Sequence, residues 1–120
     1  MAAKDTLGRD GEDAAATYLS GAGFEVLDRN WRCPLGEIDI VARDGGEIVV
    51  VEVKTRTSEL YGHPLEAVDA RKRTRLWKLA AAWCRQHPAD ARGRSVRLDA
   101  VSVIGAANTA FRLDHLRDLR

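Results

Sequence analysis

The stretch "GEIDIVARDGGEIVVVEVKTR", residues 36–56, decides the fold of this chain. Two runs rich in Ile and Val flank the turn sequence "DGG", which is a strong signal for a β-hairpin. Asp39, Glu52 and Lys54 interrupt these runs, where the interior of a sheet normally takes apolar side chains. The first question is therefore what keeps two acids and a lysine in the middle of a core hairpin.

The turn determines which charged side chains face each other, because side chains alternate between the two faces of a strand. A two-residue turn at residues 45–46 places Asp39 opposite Glu52. A turn one residue earlier places Glu37 opposite Glu52 instead, and a three-residue loop would scatter the acids. Either two-residue turn predicts an acidic cluster on one face, with Lys54 one pleat further along.

Alternation also assigns the apolar side chains of the hairpin to its two faces. The face with the acids takes Val41 from the first strand, and Ile48 and Val50 from the second. Ile38 and Ile40 are expected to share the opposite face. The valines expected with them are Val49, Val51 and Val53.

Two interpretations of the acidic cluster follow from its chemistry. Facing carboxylates repel each other and are costly to bury. In one interpretation Lys54 neutralises part of the charge in a partly exposed ion-pair cluster. In the other, carboxylate oxygens about 2.1 Å from Mg²⁺ or Mn²⁺ offset the repulsion. The lysine would then position or deprotonate an attacking water.

The rest of the chain alternates helical and extended patterns around the hairpin. Helical spacing of small and apolar residues predicts a first helix over residues 6–20, ended by Gly21. Pro64 fits the first turn of a second helix that runs to about Gln86. The other predicted elements are strands over 24–32, 36–43, 47–56, 96–104 and 110–116, and a loop over 88–94.

This order predicts the fold class. The elements follow α-β-β-β-α-β(-β), which is an α/β fold with a mixed sheet of four to five strands. One helix is expected on each face of the sheet. We expect one domain over residues 1–120, since this length is typical of a single domain.

The second helix carries the basic run "RKRTRLWK", residues 71–78, with five positive charges and no negative one. Lys72 lies in the apolar stripe of this helix, one turn from both Val68 and Leu76. It either snorkels at the edge of the interface or reaches toward the acidic cluster or a bound phosphate. The run as a whole is either a solvated face or a footprint for a phosphate backbone.

Other features outside the hairpin also carry information. Gly8 and Gly11 each cost about 1 kcal/mol in a helix interior, and close approach of another backbone would compensate for this. Glu12 lies on the flank of the first helix, where it either reaches the sheet as a third acid or stays at the solvent edge. Arg97 and Asp99 share a face of one strand and are interpreted as a local ion pair.

Composition excludes several classes of protein. The chain has 120 residues and a formal net charge of +1, with ordinary apolar and charged fractions. Its polar N-terminus lacks the pattern of a signal peptide, and no apolar run approaches the roughly 18 residues of a membrane helix. Cys33 and Cys84 form no metal-binding pattern. We therefore expect reduced thiols in a cytoplasmic protein that does not enter a membrane.

An acid in one strand followed by Glu-x-Lys in the next, between two helices, resembles the PD-(D/E)xK nuclease superfamily. A closer resemblance, over nearly the whole chain, is to the YraN family of small bacterial endonuclease-like proteins. One departure is Ile38, which stands where the superfamily motif has a proline. The matching stretches are residues 8–12 ("GRDGE"), 36–44 ("GEIDIVARD"), 49–56 ("VVVEVKTR"), 61–68 ("YGHPLEAV") with Lys72, and 97–103 ("RLDAVSV").

The resemblance implies a restriction-endonuclease-like core and phosphodiester hydrolysis that depends on Mg²⁺ or Mn²⁺. Carried over by position, Asp39 and Glu52 would be metal ligands, and Lys54 would assist the attacking water. Glu12 resembles the helical acid of the Holliday-junction-resolvase branch and could complete the metal site. Glu37 is the alternative residue for this position. The implied catalytic residues are therefore Asp39, Glu52, Lys54 and Glu12. The residues implied to contact nucleic acid are Lys72, Arg56, Arg71 and Arg75.

These inferences lead to the hypothesis of a divalent-metal-dependent DNA endonuclease acting on branched or recombination-intermediate DNA. One alternative is a non-catalytic nucleic-acid-binding module or an accessory of a DNA-processing helicase, and another is a structural domain with a buried ion network. A homodimer and a helicase or recombination partner also fit, since a core this small covers little duplex. Stacking on single strands is not favoured, because Trp77 is the only aromatic residue in the basic run.

Overall fold

A five-stranded mixed sheet with a helix on each face forms the fold. The computed structural model describes residues 3–57, 69–105 and 111–119, and only the backbone of residues 3–7. The architecture and the order of elements confirm the predicted fold class. The elements are α1 (Ala3–Gly21), β1 (Glu25–Cys33), β2 (Gly36–Asp44), β3 (Glu47–Arg56), α2 (Ala70–Gln86), α3 (Pro88–Ala91), β4 (Ser95–Ile104) and β5 (Arg112–Leu116).

The strands lie in the order β1-β2-β3-β4-β5. β3 and β4 are parallel, with α2 between them in the chain, and the other neighbouring pairs are antiparallel. In the central hairpin Asp44 pairs with Glu47 and Ile40 with Val51. This is the first of the two predicted registers, with its turn at residues 45–46. Gly45 has a φ of 59°, in the left-handed region that favours glycine.

Each face of the sheet has its own apolar core. α1 packs on one face through Ala15 and Leu19, and α2 packs on the other through Leu76, Leu79 and Trp83. The predicted alternation along β3 is confirmed. The sheet residues under α1 are Ile40, Ala42, Val49, Val51, Val53, Val101 and Val103, and those under α2 are Ile38, Val41, Ile48, Val50, Leu98 and Ala100.

The prediction that Ile38 and Ile40 share a face is wrong. Ile38 packs with the α2 core and Ile40 with the α1 core, although they are two residues apart. The ladder between β2 and β3 ends at Ile40 and Val51, while β2 remains paired with β1 beyond that point. The regular alternation of β2 is therefore interrupted at Asp39, where the strand leaves its partner.

The helix ends differ from the predictions because local caps determine them. α1 includes Gly21, and the left-handed residue beyond it is Gly23, with a φ of 95°. The amide of Phe24 donates to the carbonyl of Leu19, and the amide of Gly23 donates to the carbonyl of Ser20. This is a Schellman motif, so Gly23 and not Gly21 ends the helix.

α2 begins at Ala70, because Asp69 caps it. Oδ1 of Asp69 accepts a hydrogen bond from the amide of Lys72 at 2.9 Å, and the backbone of Asp69 is extended. Pro64 lies outside the described residues, and in the described part of the predicted second helix Asp69 is extended, so the helical turns begin after it. The predicted loop after α2 is also wrong in part, since Pro88 starts the one-turn helix α3.

Two further expectations, reduced thiols and the absence of a membrane helix, concern the described residues. Cys33 and Cys84 are both free thiols. Within residues 3–57, 69–105 and 111–119, no helix combines the length and the apolar character that crossing a membrane requires.

Gly11 allows α1 to approach β3 closely. A Cβ built on Gly11 would lie 2.1 Å from Oγ1 of Thr55, whereas one built on Gly8 meets nothing within 4 Å. The structure thus shows a close approach at Gly11, but to the side chain of Thr55 and not to a backbone as expected, and it shows none at Gly8. Glu12 follows Gly11, so this contact also sets how near Glu12 lies to the sheet.

Gly11→Ala is expected to lower the free energy of unfolding by about 1–3 kcal/mol, because the added methyl group overlaps Thr55. Gly8→Ala is the matched control and is expected to raise it by up to about 1 kcal/mol, the helix-propensity gain. Urea unfolding of both variants measures the two effects. Equal stability of Gly11→Ala and the wild type would contradict the close contact.

Candidate functional site

Asp39 lies at the point where β2 separates from β3. The ladder ends one step earlier, at Ile40 and Val51. Oδ2 of Asp39 accepts a hydrogen bond from the amide of Val53 at 2.8 Å. The carboxylate therefore takes the place of a backbone acceptor and is held between the two strands, at the same end of the hairpin as Glu52.

Three carboxylates meet at this point and are called the acidic group below: Glu12, Glu37 and Asp39. One oxygen from each lies within 4.8 Å of the others. Glu12 comes from α1 on one face of the sheet, while Glu37 and Asp39 come from β2. The sequence left open whether Glu12 or Glu37 joins Asp39, and both of them do.

Glu52 lies beside the acidic group and is held by two lysines. Its Oε1 is 2.7 Å from Nζ of Lys72 and 3.5 Å from Nζ of Lys54. Glu52 is buried, with 8% of its surface exposed, and both lysines are partly buried. Lys72 thus reaches from α2 to the acidic cluster, which was one of its two predicted positions.

The electrostatics of the site follow from burial and crowding. Burial raises the pKa of Asp39 to about 7, helped by the nearby charge of Glu52 and opposed by the hydrogen bond from Val53. Burial also lowers the pKa of Lys54, and the neighbouring Lys72 adds to this effect. Burial opposes the charged form of Lys72 too, but its hydrogen bonds with Glu52 and Lys54 and the charge of Glu52 together outweigh burial and raise its pKa. Burial and the neighbouring carboxylates therefore disfavour the ionised form of Asp39, while the charge of Lys72 is stabilised by its contact with Glu52.

Asn30 supports Glu12 and was missed in the sequence. Burial raises the pKa of Glu12, and a hydrogen bond with the Asn30 side chain opposes this rise. Asn30 has a φ of 53° inside β1, a conformation that asparagine tolerates better than most residues. An asparagine within a predicted strand was the available signal.

Ser102 is a second residue that sequence patterns did not indicate. It faces Lys54 in the parallel ladder between β3 and β4 and is fully buried. Its Oγ has no hydrogen-bond partner among the described residues. An unpartnered buried hydroxyl is uncommon in folded proteins, and this one belongs to the residue paired with Lys54.

A cleft of about 260 Å³ opens above the site, and we call it the central cleft. Asp39, Glu52, Lys72 and Arg75 are among the residues that line it. Arg71 and Arg75 are exposed on α2, and both line further clefts described below. Of the predicted nucleic-acid contacts, Arg56 is the one outside these clefts; it lies at the end of β3, paired with Ile104.

A separate ion network lies beneath α1, around Arg97 and Asp99. Nε of Arg97 is 2.8 Å from Oδ1 of Asp99, and a second nitrogen lies 3.0 Å from Oδ2, which confirms the predicted ion pair. Nη1 of Arg97 also contacts Asp44 at 3.1 Å and Glu47 at 3.0 Å. Nε2 of His115 lies 2.8 Å from Oδ2 of Asp99. The network thus joins the central hairpin to β4 and β5.

Comparison with known proteins identifies relatives over nearly the whole chain. A "UPF0102 protein" from Paenarthrobacter aurescens (strain TC1) is 57% identical over 117 residues, which cover 98% of this chain and 95% of the relative. Proteins of the same name from Arthrobacter sp. (strain FB24) and Beutenbergia cavernae are 53% and 52% identical over 117 residues, with 98% of each chain covered.

A family model described as "Uncharacterised protein family UPF0102" matches residues 11–103. This span contains the acidic group, Glu52 and both lysines. The chain therefore belongs to the UPF0102 family, which is the YraN family that its sequence resembles.

Proposed function

We propose that this protein is a divalent-metal-dependent DNA endonuclease of the PD-(D/E)xK superfamily. The observation that carries the proposal is the meeting of four carboxylates and two lysines where β2 leaves β3. The acidic group lies within 4.8 Å, and Glu52 beside it contacts Lys72 and Lys54. An acid from a helix, an acid from an interrupted strand and a Glu-x-Lys strand are the elements that the resemblance implies for this superfamily.

The donor set fits Mg²⁺ or Mn²⁺. The candidate donors are all carboxylate oxygens, which these hard cations prefer. Oxygens on opposite sides of a bound Mg²⁺ are about 4.2 Å apart, since each lies about 2.1 Å from the ion. The spacing of up to 4.8 Å in the acidic group is close to this value. We assign Asp39, Glu12 and Glu37 to the cation, and Glu52, which lies beside them and contacts both lysines, as the further ligand that the resemblance implies.

Phosphodiester hydrolysis needs a water that attacks phosphorus while the bond to the leaving oxygen breaks. When bound, a divalent cation supplies positive charge that polarises the phosphate and lowers the pKa of water. Lys54 is held 3.5 Å from Glu52, where its ammonium group can orient the attacking water. Lys72 balances the charge of Glu52, and it can contact the phosphate from the side of α2.

The basic face of α2 supplies the contacts that a DNA backbone requires. Arg71 and Arg75 are exposed on the same helix that brings Lys72 to Glu52. Such residues bind phosphates and position the duplex without reading its sequence. Branched or recombination-intermediate DNA is the substrate that the resemblance implies, and we carry it into the proposal.

Purified protein incubated with linear, nicked, flapped and four-way-junction DNA tests the proposal. We expect cutting with Mg²⁺ or Mn²⁺ and none with EDTA. Lys54→Ala and Glu52→Ala are expected to lower the rate by at least about a hundredfold. Asp13→Asn is the matched control, because Asp13 is the exposed neighbour of Glu12 and pairs with Arg29 at the surface. It is expected to cut like the wild type.

The other outcomes assign the protein to a different class. DNA binding without cutting on every substrate would support the non-catalytic module or helicase accessory. Neither binding nor cutting would leave a structural domain with an ion network. Cutting that survives in both Lys54→Ala and Glu52→Ala would place the reaction elsewhere in the chain.

A further inference from the structure

We propose that Leu35, at the turn between β1 and β2, contacts an unpaired base of a DNA strand whose backbone follows the basic face of α2. The inference rests on the proposed function and names its substrate class: DNA with unpaired nucleotides close to the bond that is cut.

Leu35 is placed like a contact residue and not like a core residue. It lies in the two-residue turn between Cys33 and Gly36, and 50% of its surface is exposed. That is the highest exposure among the large apolar residues of the described chain. Its side chain lines a cleft of about 460 Å³, which we call the outer cleft. A single exposed leucine is ordinary on a protein surface, but an apolar side chain that shares a cleft with several polar and charged groups is typical of a binding site.

The opposite side of the outer cleft is basic. Arg71, Thr74, Arg75 and Lys78, all from α2, line it together with Leu35. The described lining thus has three positive charges and no negative one. A nucleotide strand matches both sides, since its phosphates are anionic and the faces of its bases are apolar.

The apolar side chain of Leu35 indicates that the base it contacts is unpaired. In an uninterrupted duplex each base face is covered by its stacked neighbours, so a side chain meets a face only where bases are unpaired or separated. Leu35 is aliphatic, so it would support a displaced base without the aromatic stacking that the sequence disfavours. The basic residues would hold the flanking phosphates of either kind of DNA.

The outer cleft leads to the acidic group. Leu35 lines the outer cleft and its neighbour Gly36 lines the central cleft, so the two clefts adjoin at the β1–β2 turn. Arg75 lines both of them. A third cleft of about 290 Å³, lined by Asp69 at the start of α2 and by Arg71, Lys72 and Arg75, also adjoins them. A strand in the outer cleft would therefore pass Arg75 and reach Asp39.

Two equilibrium binding measurements in EDTA test the role of Leu35. The probes are a fully paired fluorescent duplex and the same duplex with a short unpaired flap. Leu35→Ala is expected to weaken binding of the flapped DNA about fivefold, the effect of losing part of one leucine contact, and to change duplex binding less than about twofold. Leu35→Met keeps the apolar surface and is expected to bind both probes like the wild type.

Trp77→Ala is the matched control. Trp77 is also an exposed apolar residue, with 41% of its surface exposed, and lies on α2 outside the lining of the outer cleft. It is expected to leave both affinities unchanged. Unchanged thermal unfolding of Leu35→Ala would show that the variant keeps its fold, as expected for an exposed position.

The results separate this inference from the proposed function. Equal weakening of both probes by Leu35→Ala, or weakening of neither, overturns the inference, even if the wild type cuts DNA with metal. Binding of an acidic peptide in the outer cleft, with no effect of Leu35→Ala on DNA, would assign the surface to a protein segment and also overturn it. Selective loss of flap binding supports the inference, and if the wild type then cuts no substrate, the proposed nuclease activity alone fails.

Discussion

Asp39→Asn is expected to lower metal-dependent cutting by at least about a hundredfold, because it removes the anionic oxygen that lies at the centre of the carboxylates. Heat released on adding Mn²⁺ should fall in parallel, so calorimetry measures the same loss without DNA. Asp13→Asn, which changes the same functional group at the surface of α1, is the control and should keep both signals. Wild-type Mn²⁺ binding by Asp39→Asn would contradict the assignment of Asp39 as a ligand.

The same variant is expected to be at least as stable as the wild type without metal. An asparagine oxygen can still accept the hydrogen bond from the amide of Val53, while one of four crowded charges is removed. The pKa of Asp39 is raised by burial from 3.8 to about 7, so its ionisation destabilises the folded state progressively over this pH range. Asp39→Asn should therefore gain at least about 1 kcal/mol near neutral pH, which is a fraction of the full linkage value of this pKa shift, and less toward pH 4. Urea unfolding at several pH values measures this difference.

Asp99→Asn is expected to have the largest effect on stability, a loss of about 3 kcal/mol in the free energy of unfolding. Asp99 is fully buried and binds Arg97 through two oxygens, at 2.8 and 3.0 Å. It also accepts a hydrogen bond from the amide of Asp118 at 2.9 Å. Neutralising it would leave the guanidinium of Arg97 buried with its main partner lost.

Glu25→Gln is the control for Asp99→Asn. Glu25 pairs with Arg43 at the surface, where a single ion pair contributes less than about 1 kcal/mol. A small change in Glu25→Gln beside a large one in Asp99→Asn is the expected pattern in urea unfolding. Similar small losses in both variants would show that the buried network contributes little to stability.

Acid unfolding gives an independent measure of the same network. Burial opposes the ionisation of Asp99, but hydrogen bonds from His115, Arg97 and the Asp118 amide outweigh it and lower the pKa from 3.8 to about 2. Asp99 therefore stabilises the fold above about pH 4, and this contribution is lost as the pH falls toward 2. The stability of the wild type should fall by about 2 kcal/mol more than that of Asp99→Asn over this range.

Sequence patterns predicted most features of the central hairpin, but not all of them. The "DGG" turn and the alternation of residues 47–56 predicted a hairpin with two possible registers, and the observed register, which brings Asp39 and Glu52 to one end of the sheet, is one of them. The helical spacing of the second helix left two positions open for Lys72, and the structure places it at Glu52. Alternation failed at Ile38, because it assumes a strand that stays paired on both sides, whereas the pairing of β2 with β3 ends at Ile40.

The site was less predictable than the hairpin. The position of Glu12 depends on how closely α1 approaches β3 at Gly11, and no period in the sequence measures that distance. Glu37 joins the acidic group together with Glu12, although the sequence presented them as alternatives. Asn30 and Leu35 carried no motif, because a left-handed backbone and an exposed turn are properties of the fold.

The sequence by itself determined the order of the elements, the central hairpin with its two possible registers, and the presence of two apolar faces. These features follow from local periodicity and from turn chemistry, which depend on residues close together in the chain. The tertiary structure decided which acids meet, that Glu52 binds both lysines, and that Leu35 lies beside the basic face of α2. Those contacts join residues from separate elements, so they depend on how α1 and α2 pack on the sheet.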